Sequence, residues 1–212
     1  MVIVEEIIPL RTGVHLRLDS GRCVRLTRKE IAEGGFREGM ELNEADFDQF
    51  VRLHQYPRAL NQAVSMLARR PCSRYEIERR LTDNRFEAEI VGLVLYKLEK
   101  ERLLNDAEFA DNWTQYRSAG KFGRRRIQQE LKQKGVDDEI ALDALNRLDE
   151  NELLENAVRL ALKAIDRSRP SESRYSMRNR VLSALVRKGY DWEMASKAFE
   201  TASKQANEMH DP

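Results

Sequence analysis

The stretch "KFGRRRIQQELKQKG", residues 121–135, decides how the rest of the chain is read. Ile127 and Leu131 are four apart and set the inner face of a helix, and Gly135 is placed to end it. Three consecutive arginines, Arg124 to Arg126, stand at its start, where the macrodipole favours anions instead. Such charge could hold a phosphate, meet a nucleic acid, pair with acids inside the protein or dock on a partner.

The same pattern recurs on either side. Ile77, Ile127 and Val181 align, as do Leu81, Leu131 and Leu185, then Ile90, Ile140 and Met194, then Val94, Ala144 and Ala198. Lys134-Gly135 matches Lys188-Gly189. These are the core positions of a two-helix unit with a short turn, and a further helix precedes each copy, over 58–69, 106–118 and 152–167. The expected fold is therefore mainly α, with three tandem three-helix repeats stacked as a curved solenoid. The repeats span 58–104, 105–150 and 151–206, before a tail at 207–212. In the third repeat a longer polar connection, "DRSRPSESRYS", separates the first two helices.

Residues 1–57 read differently. "VHLRLDSGRCVRL" alternates Val14, Leu16 and Leu18 against His15 and Arg17, turns at Asp19-Ser20-Gly21, and resumes with Val24 and Leu26. "IVEEII" reads as a third strand, so a small β-containing extension precedes the repeats. Thr27 with Glu30 and Ser73 with Glu76 are capping-box signatures, and so is Asn105 with Glu108. Asn43 caps a helix that Pro57 is expected to end.

Bulk composition narrows the function. Charged residues make up 34% of 212 and aromatic ones 7%, which suits long solvated helices. The net charge of +1 means that any nucleic-acid surface must arise from local segregation of charge. Cys23 and Cys72 are far apart and read as free thiols of a reducing compartment, and with His15, His54 and His210 they form no metal set. The opening "MVIVEEIIPL" does not read as a signal peptide, and the expected location is cytoplasmic. "AGKFG" is not a phosphate loop: Gln115 stands where its first glycine should be, and Phe122 follows Lys121. Without a hydrolase or zinc motif or a Rossmann fingerprint, the chain reads as a binding protein with no catalytic residues, cofactor or metal. Phe109, Trp113 and Tyr116 share a helix and read as a packed face rather than a base-stacking platform.

The repeat alignment divides the arginines by role. Arg74, Arg124 and Arg178 are equivalent, and so are Glu89, Glu139 and Glu193. The simplest expectation is an Arg–Glu pair bracing the second helix of each repeat against the third. Arg125 and Lys132 instead project away from the Ile127–Leu131 face, with Arg126 on the flank. Residues 117–134 hold seven basic residues and one acid, Glu130, and the first repeat has its own basic cluster that includes Arg79 and Arg80. Arg79, Arg80, Arg125, Arg126 and Lys132 are the candidates for partner contact; solubility alone is the competing reading.

The segment "LLNDAEFADNWTQYRSAGKFGRRRIQQELKQKGV", residues 103–136, resembles the central motif of the RecX family, bacterial regulators of the RecA recombinase. The matching residues are Leu104-Asn105-Asp106, Phe109-Ala110, Trp113, Arg117, Gly123, Arg126-Ile127, Glu130-Leu131 and Lys134-Gly135. Gln115 and Tyr116 depart from the more apolar or basic residues of that pattern. "ALNQAVSMLARRPCSRYEIERRL", residues 59–81, is similar to the family's first unit, and the likeness extends over about 58–205. The resemblance implies tandem three-helix units that bind RecA and the RecA–DNA filament. It also implies that they limit recombinase and ATPase activity in DNA repair, recombination and the SOS response, without a cofactor or a small-molecule substrate. The alternative is a helical-repeat protein that binds single- or double-stranded nucleic acid directly.

Overall fold

A computed structural model describes residues 1–167 and 172–208. The middle of the polar connection "DRSRPSESRYS" and the tail's His210 lie outside those residues. The chain divides into two compact units, residues 1–105 and 106 onward.

The first unit opens with an antiparallel sheet. β1 (Val2–Leu10), β2 (Gly13–Leu18), β3 (Cys23–Leu26) and β4 (Glu41–Leu42) lie in the order β3-β2-β1-β4. Leu16 faces Ile7 on one side and Val24 on the other, as the alternation requires. The sequence pattern foretold three of these strands. β4 has two residues, too few to show a period, and it pairs with Val2 and Ile3. Between β3 and β4 runs α1 (Arg28–Gly34), closed by the Thr27–Glu30 capping box and by Gly35 at φ 60°.

α2 (Glu44–Leu67) starts at Asn43 as expected but continues through Pro57. The expected break fails because one face carries Phe47, Val51, Gln55, Ala59 and Ala63 in unbroken four-residue steps, all buried. Pro57 is exposed, and the carbonyl left without its donor belongs to Leu53, which is 68% exposed. Phe47 and Val51 cover the sheet face formed by Val4, Leu16, Leu18, Val24 and Leu26. Ala59 and Ala63 enter a second core with Ile77 and Leu81 of α3 (Arg74–Asp83) and Ile90, Val94 and Leu98 of α4 (Ala88–Lys100).

The second unit holds six helices among the described residues: α5 (Asp106–Ala119), α6 (Arg124–Gln133), α7 (Asp138–Asn146), α8 (Glu150–Asp166), α9 (Arg174–Arg187) and α10 (Trp192–Glu208). They share one apolar cluster, which includes Phe109, Ile127, Leu131, Leu153, Val181, Leu185 and Phe199. Aligned core positions of the repeats are buried as expected, except that Ile140 and Met194 are only partly covered. Gly135 and Gly189 take φ 68° and 94° just beyond the ends of α6 and α9. The equivalent position in the first repeat is Arg85, at φ 61°.

Candidate functional site

The start of α6 resolves the paradox of its arginines. Its N-cap is Gly123, which offers no capping side chain. The orphan donors are met by backbone from the end of α9: Gly123 N–H donates to the Lys188 carbonyl and Arg125 N–H to the Gly189 carbonyl, each at 3.0 Å. The negative end of one helix thus meets the positive end of the other, so no acidic residue is needed at the start of α6. The approach is close enough that a Cβ on Gly123 would collide with Gly189 and the Tyr190 nitrogen, and one on Gly189 with the Arg126 backbone.

Two turns into the helix, Glu130 gathers the surrounding charge. It is 8% exposed. Arg117 of α5 grips it with both nitrogens of its fork, Nε–Oε2 at 2.6 Å and Nη2–Oε1 at 2.5 Å, and Arg126 Nε donates to Oε1 at 3.0 Å. Burial pushes the Glu130 carboxyl up, but the hydrogen bonds and charges of Arg117 and Arg126 outweigh it and hold it below the usual carboxylate value. Arg117 also lies over the Phe122 ring at 3.8 Å, with Lys188 Nζ at 4.3 Å from the same ring. Lys134 Nζ sits 4.1 Å from the Trp113 ring centroid. Arg117, Gly123, Arg126, Glu130 and Lys134 therefore build an internal frame.

The expected braces take other acids. Arg74 binds Glu78 at 2.8 Å and Glu99 at 2.9 Å, while Glu89 pairs with Arg52. Arg124 reaches Glu150 at 3.4 Å and the Leu148 carbonyl at 3.2 Å rather than Glu139. No ion pair joins Arg178 to Glu193 among the described residues. The reason is geometric. A short turn puts the end of each repeat's second helix beside the start of its third, so the arginine at the start of the second faces the far end. In the third repeat, Ser203 occupies the position of Glu99, and no acid is available there.

The contact candidates fall in both units. In the first, Arg79 and Arg80 are exposed on α3; Arg79 lies 3.9 Å from Asp83, and Arg80 has no ion-pair partner among the described residues. In the second, Arg125 and Lys132 are exposed on one face of α6, and neither has an ion-pair partner among the described residues. Arg126 is tied to Glu130 while half of its side chain stays open. Tyr116 departs from expectation: it is 69% exposed, beside a part-buried Trp113 and a buried Phe109. Sequence reasoning also missed Arg187 and Lys188, which with Arg126 rim a groove of about 430 Å³ floored by Leu160, Val181 and Leu185. Their nearness to Arg126 follows from the Gly123–Gly189 contact, which no local pattern announces.

No helix among the described residues is long and apolar enough to cross a membrane. Family models match in three places: the RecX first three-helix domain at residues 59–98, the second at 105–145 and the third at 150–199. Among curated relatives, the regulatory protein RecX of Listeria monocytogenes serotype 4a (strain HCC23) is 30% identical over 177 residues. That match covers 82% of this chain and 65% of the relative, so the chain spans just under two thirds of that protein's length. The regulatory protein RecX of Streptococcus sanguinis (strain SK36) is 26% identical over 186 residues, 87% of this chain and 71% of the relative. Two crystal structures share the fold. One, of regulatory protein RecX, has a TM-score of 0.65 at 22% identity and covers 96% of this chain and all of that one. The other, RecX from Lactobacillus salivarius, has a TM-score of 0.66 at 24% identity and covers 70% of this chain and 96% of that one. Three successive domain models, curated relatives and shared architecture agree: the chain belongs to the RecX family.

Proposed function

We propose that the protein binds RecA and the RecA–DNA filament in the cytoplasm and restrains recombinase and ATPase activity during DNA repair and the SOS response. Membership of a family whose curated relatives are named regulatory proteins carries this reading. The role is one of binding, not catalysis: the helical repeats occupy filament surface and oppose protomer addition or conformational cycling. Arg80, Arg125 and Lys132 support the reading, because they are exposed cations with no ion-pair partner among the described residues. They are suited to DNA phosphate or an acidic protein surface. Arg126 and Arg79 stand beside them, each partly engaged by an acid of its own helix.

The test is RecA's ATPase on single-stranded DNA, titrated with this protein. The wild type is expected to suppress turnover, and Arg125→Glu with Lys132→Glu to relieve that suppression. Unchanged suppression by the double variant would remove α6 from the contact face. Salt-sensitive binding of single strands without RecA, with no effect on the ATPase, would favour direct nucleic-acid binding instead.

A further inference from the structure

On the first unit, the sheet, α2 and the turn after α3 frame a half-open cavity of about 440 Å³. Three arginines line it, one from each element: Arg25 of β3, Arg58 of α2 and Arg85 of the turn. Two are held in place by the protein. Arg25 donates to the Thr12 and Asn84 carbonyls, and Arg58 Nε meets Glu30 at 3.1 Å. Glu30 is itself occupied, since its other oxygen accepts from the Thr27 N–H at 2.7 Å in the capping box. Burial lowers the pKa of Arg58; Glu30 opposes that effect and the charge of Arg25 adds to it. Like charges are therefore gathered in a partly closed space.

The third arginine is the least constrained. Arg85 occupies the left-handed turn position where the other two repeats use Gly135 and Gly189. Arg102 and Lys121 also take positive φ, so a cation at such a turn is not singular here, but Arg85 adds its charge to this cavity. It is exposed and has no ion-pair partner among the described residues.

We propose that this cavity binds a phosphate group through Arg85, Arg58 and Arg25. The ligand is a phosphate oxyanion, either a free monoester or one phosphate of a nucleic-acid backbone. The site belongs to the first unit alone and requires no recombinase, so it stands apart from the reading above.

The experiment titrates the full chain with inorganic phosphate, and separately with a single-stranded oligonucleotide at constant ionic strength, by calorimetry. Variants are Arg85→Asn, which tolerates the left-handed backbone, and Arg85→Lys, which keeps the charge but loses the fork; an unchanged circular dichroism spectrum and thermal midpoint show that each is folded. Saturable phosphate binding that weakens about tenfold in Arg85→Asn, with a smaller loss in Arg85→Lys, supports the site and a free-phosphate ligand. Oligonucleotide binding weakened by the same variants, with none to inorganic phosphate, supports the site and a backbone ligand. Absence of both, or binding that neither folded variant alters, overturns the proposal.

Discussion

The starts of α3 and α6 occupy equivalent places in two repeats and are finished in opposite ways. At α3, Ser73 accepts from the Glu76 N–H and Glu76 accepts from the Ser73 N–H, each at 3.2 Å, so the cap is built from its own four residues. At α6, Gly123 has no side chain to offer, and the carbonyls of Lys188 and Gly189 complete the helix. A second contrast lies two turns on. Glu130, buried under two arginines, stands where the first repeat has Arg80, exposed and without an ion-pair partner among the described residues. One helix start is self-sufficient; the other is a joint between repeats, and the repeat pattern alone does not tell them apart.

The largest expected effect tests the joint's charged frame. Arg117→Ala strips the fork from a buried carboxylate and should cost about 3–5 kcal/mol in urea denaturation. Both tryptophans, Trp113 and Trp192, lie in the second unit, so fluorescence reads that unit without interference. Next comes the backbone approach: Gly123→Ala should destabilise the second unit by about 3 kcal/mol, because neither wall of the contact is a yielding side chain. A loss similar to that of an ordinary surface site would mean the joint is not tight. Ser73→Ala, read by circular dichroism, should cost only about 1 kcal/mol, the usual worth of a local cap.

Acid should separate the two regions as well. Because the Glu130 carboxyl is held below its ordinary value, its stabilisation is complete above the unfolded pKa of about 4.3 and drains away as pH falls through the lower folded value. Glu130→Gln should flatten that acid dependence of the fluorescence-detected transition, and an unaltered pH profile would detach Glu130 from it. The smallest effect belongs to Arg125→Glu with Lys132→Glu, within about 0.5 kcal/mol of wild type in stability. The pair would thereby separate a partner surface from a structural one.

Much of the fold was legible where its causes are local. Ser73–Glu76, Thr27–Glu30 and Asn43 announce helix starts by chemistry within one turn, and Leu16, Leu18, Val24 and Leu26 announce a covered sheet face by alternation. Pro57 misled because a local rule was set against a long buried stripe, and the stripe prevailed. Alignment points the braces to Glu89, Glu139 and Glu193 because it shows which positions are equivalent but not which ends of two helices adjoin. Arg126 read as a flanking charge in the sequence; its tie to Glu130 and the nearness of Arg187 and Lys188 came only with tertiary structure.

α2 has a practical consequence for anyone who would shorten this protein. It is 24 residues long and so about 36 Å from end to end. Phe47 and Val51 are clamped in the sheet core, and Ala59 and Ala63 in the next. It is a single rod shared by two cores. A cut at Pro57 would saw through that rod, leaving Phe47 and Val51 on the sheet of one piece and Ala59 and Ala63 on a ragged half-helix in the other. A fragment begun at Asn43 would keep the helix whole but lose the sheet that covers its first two turns, and it is this cut that would bare Phe47 and Val51 to water.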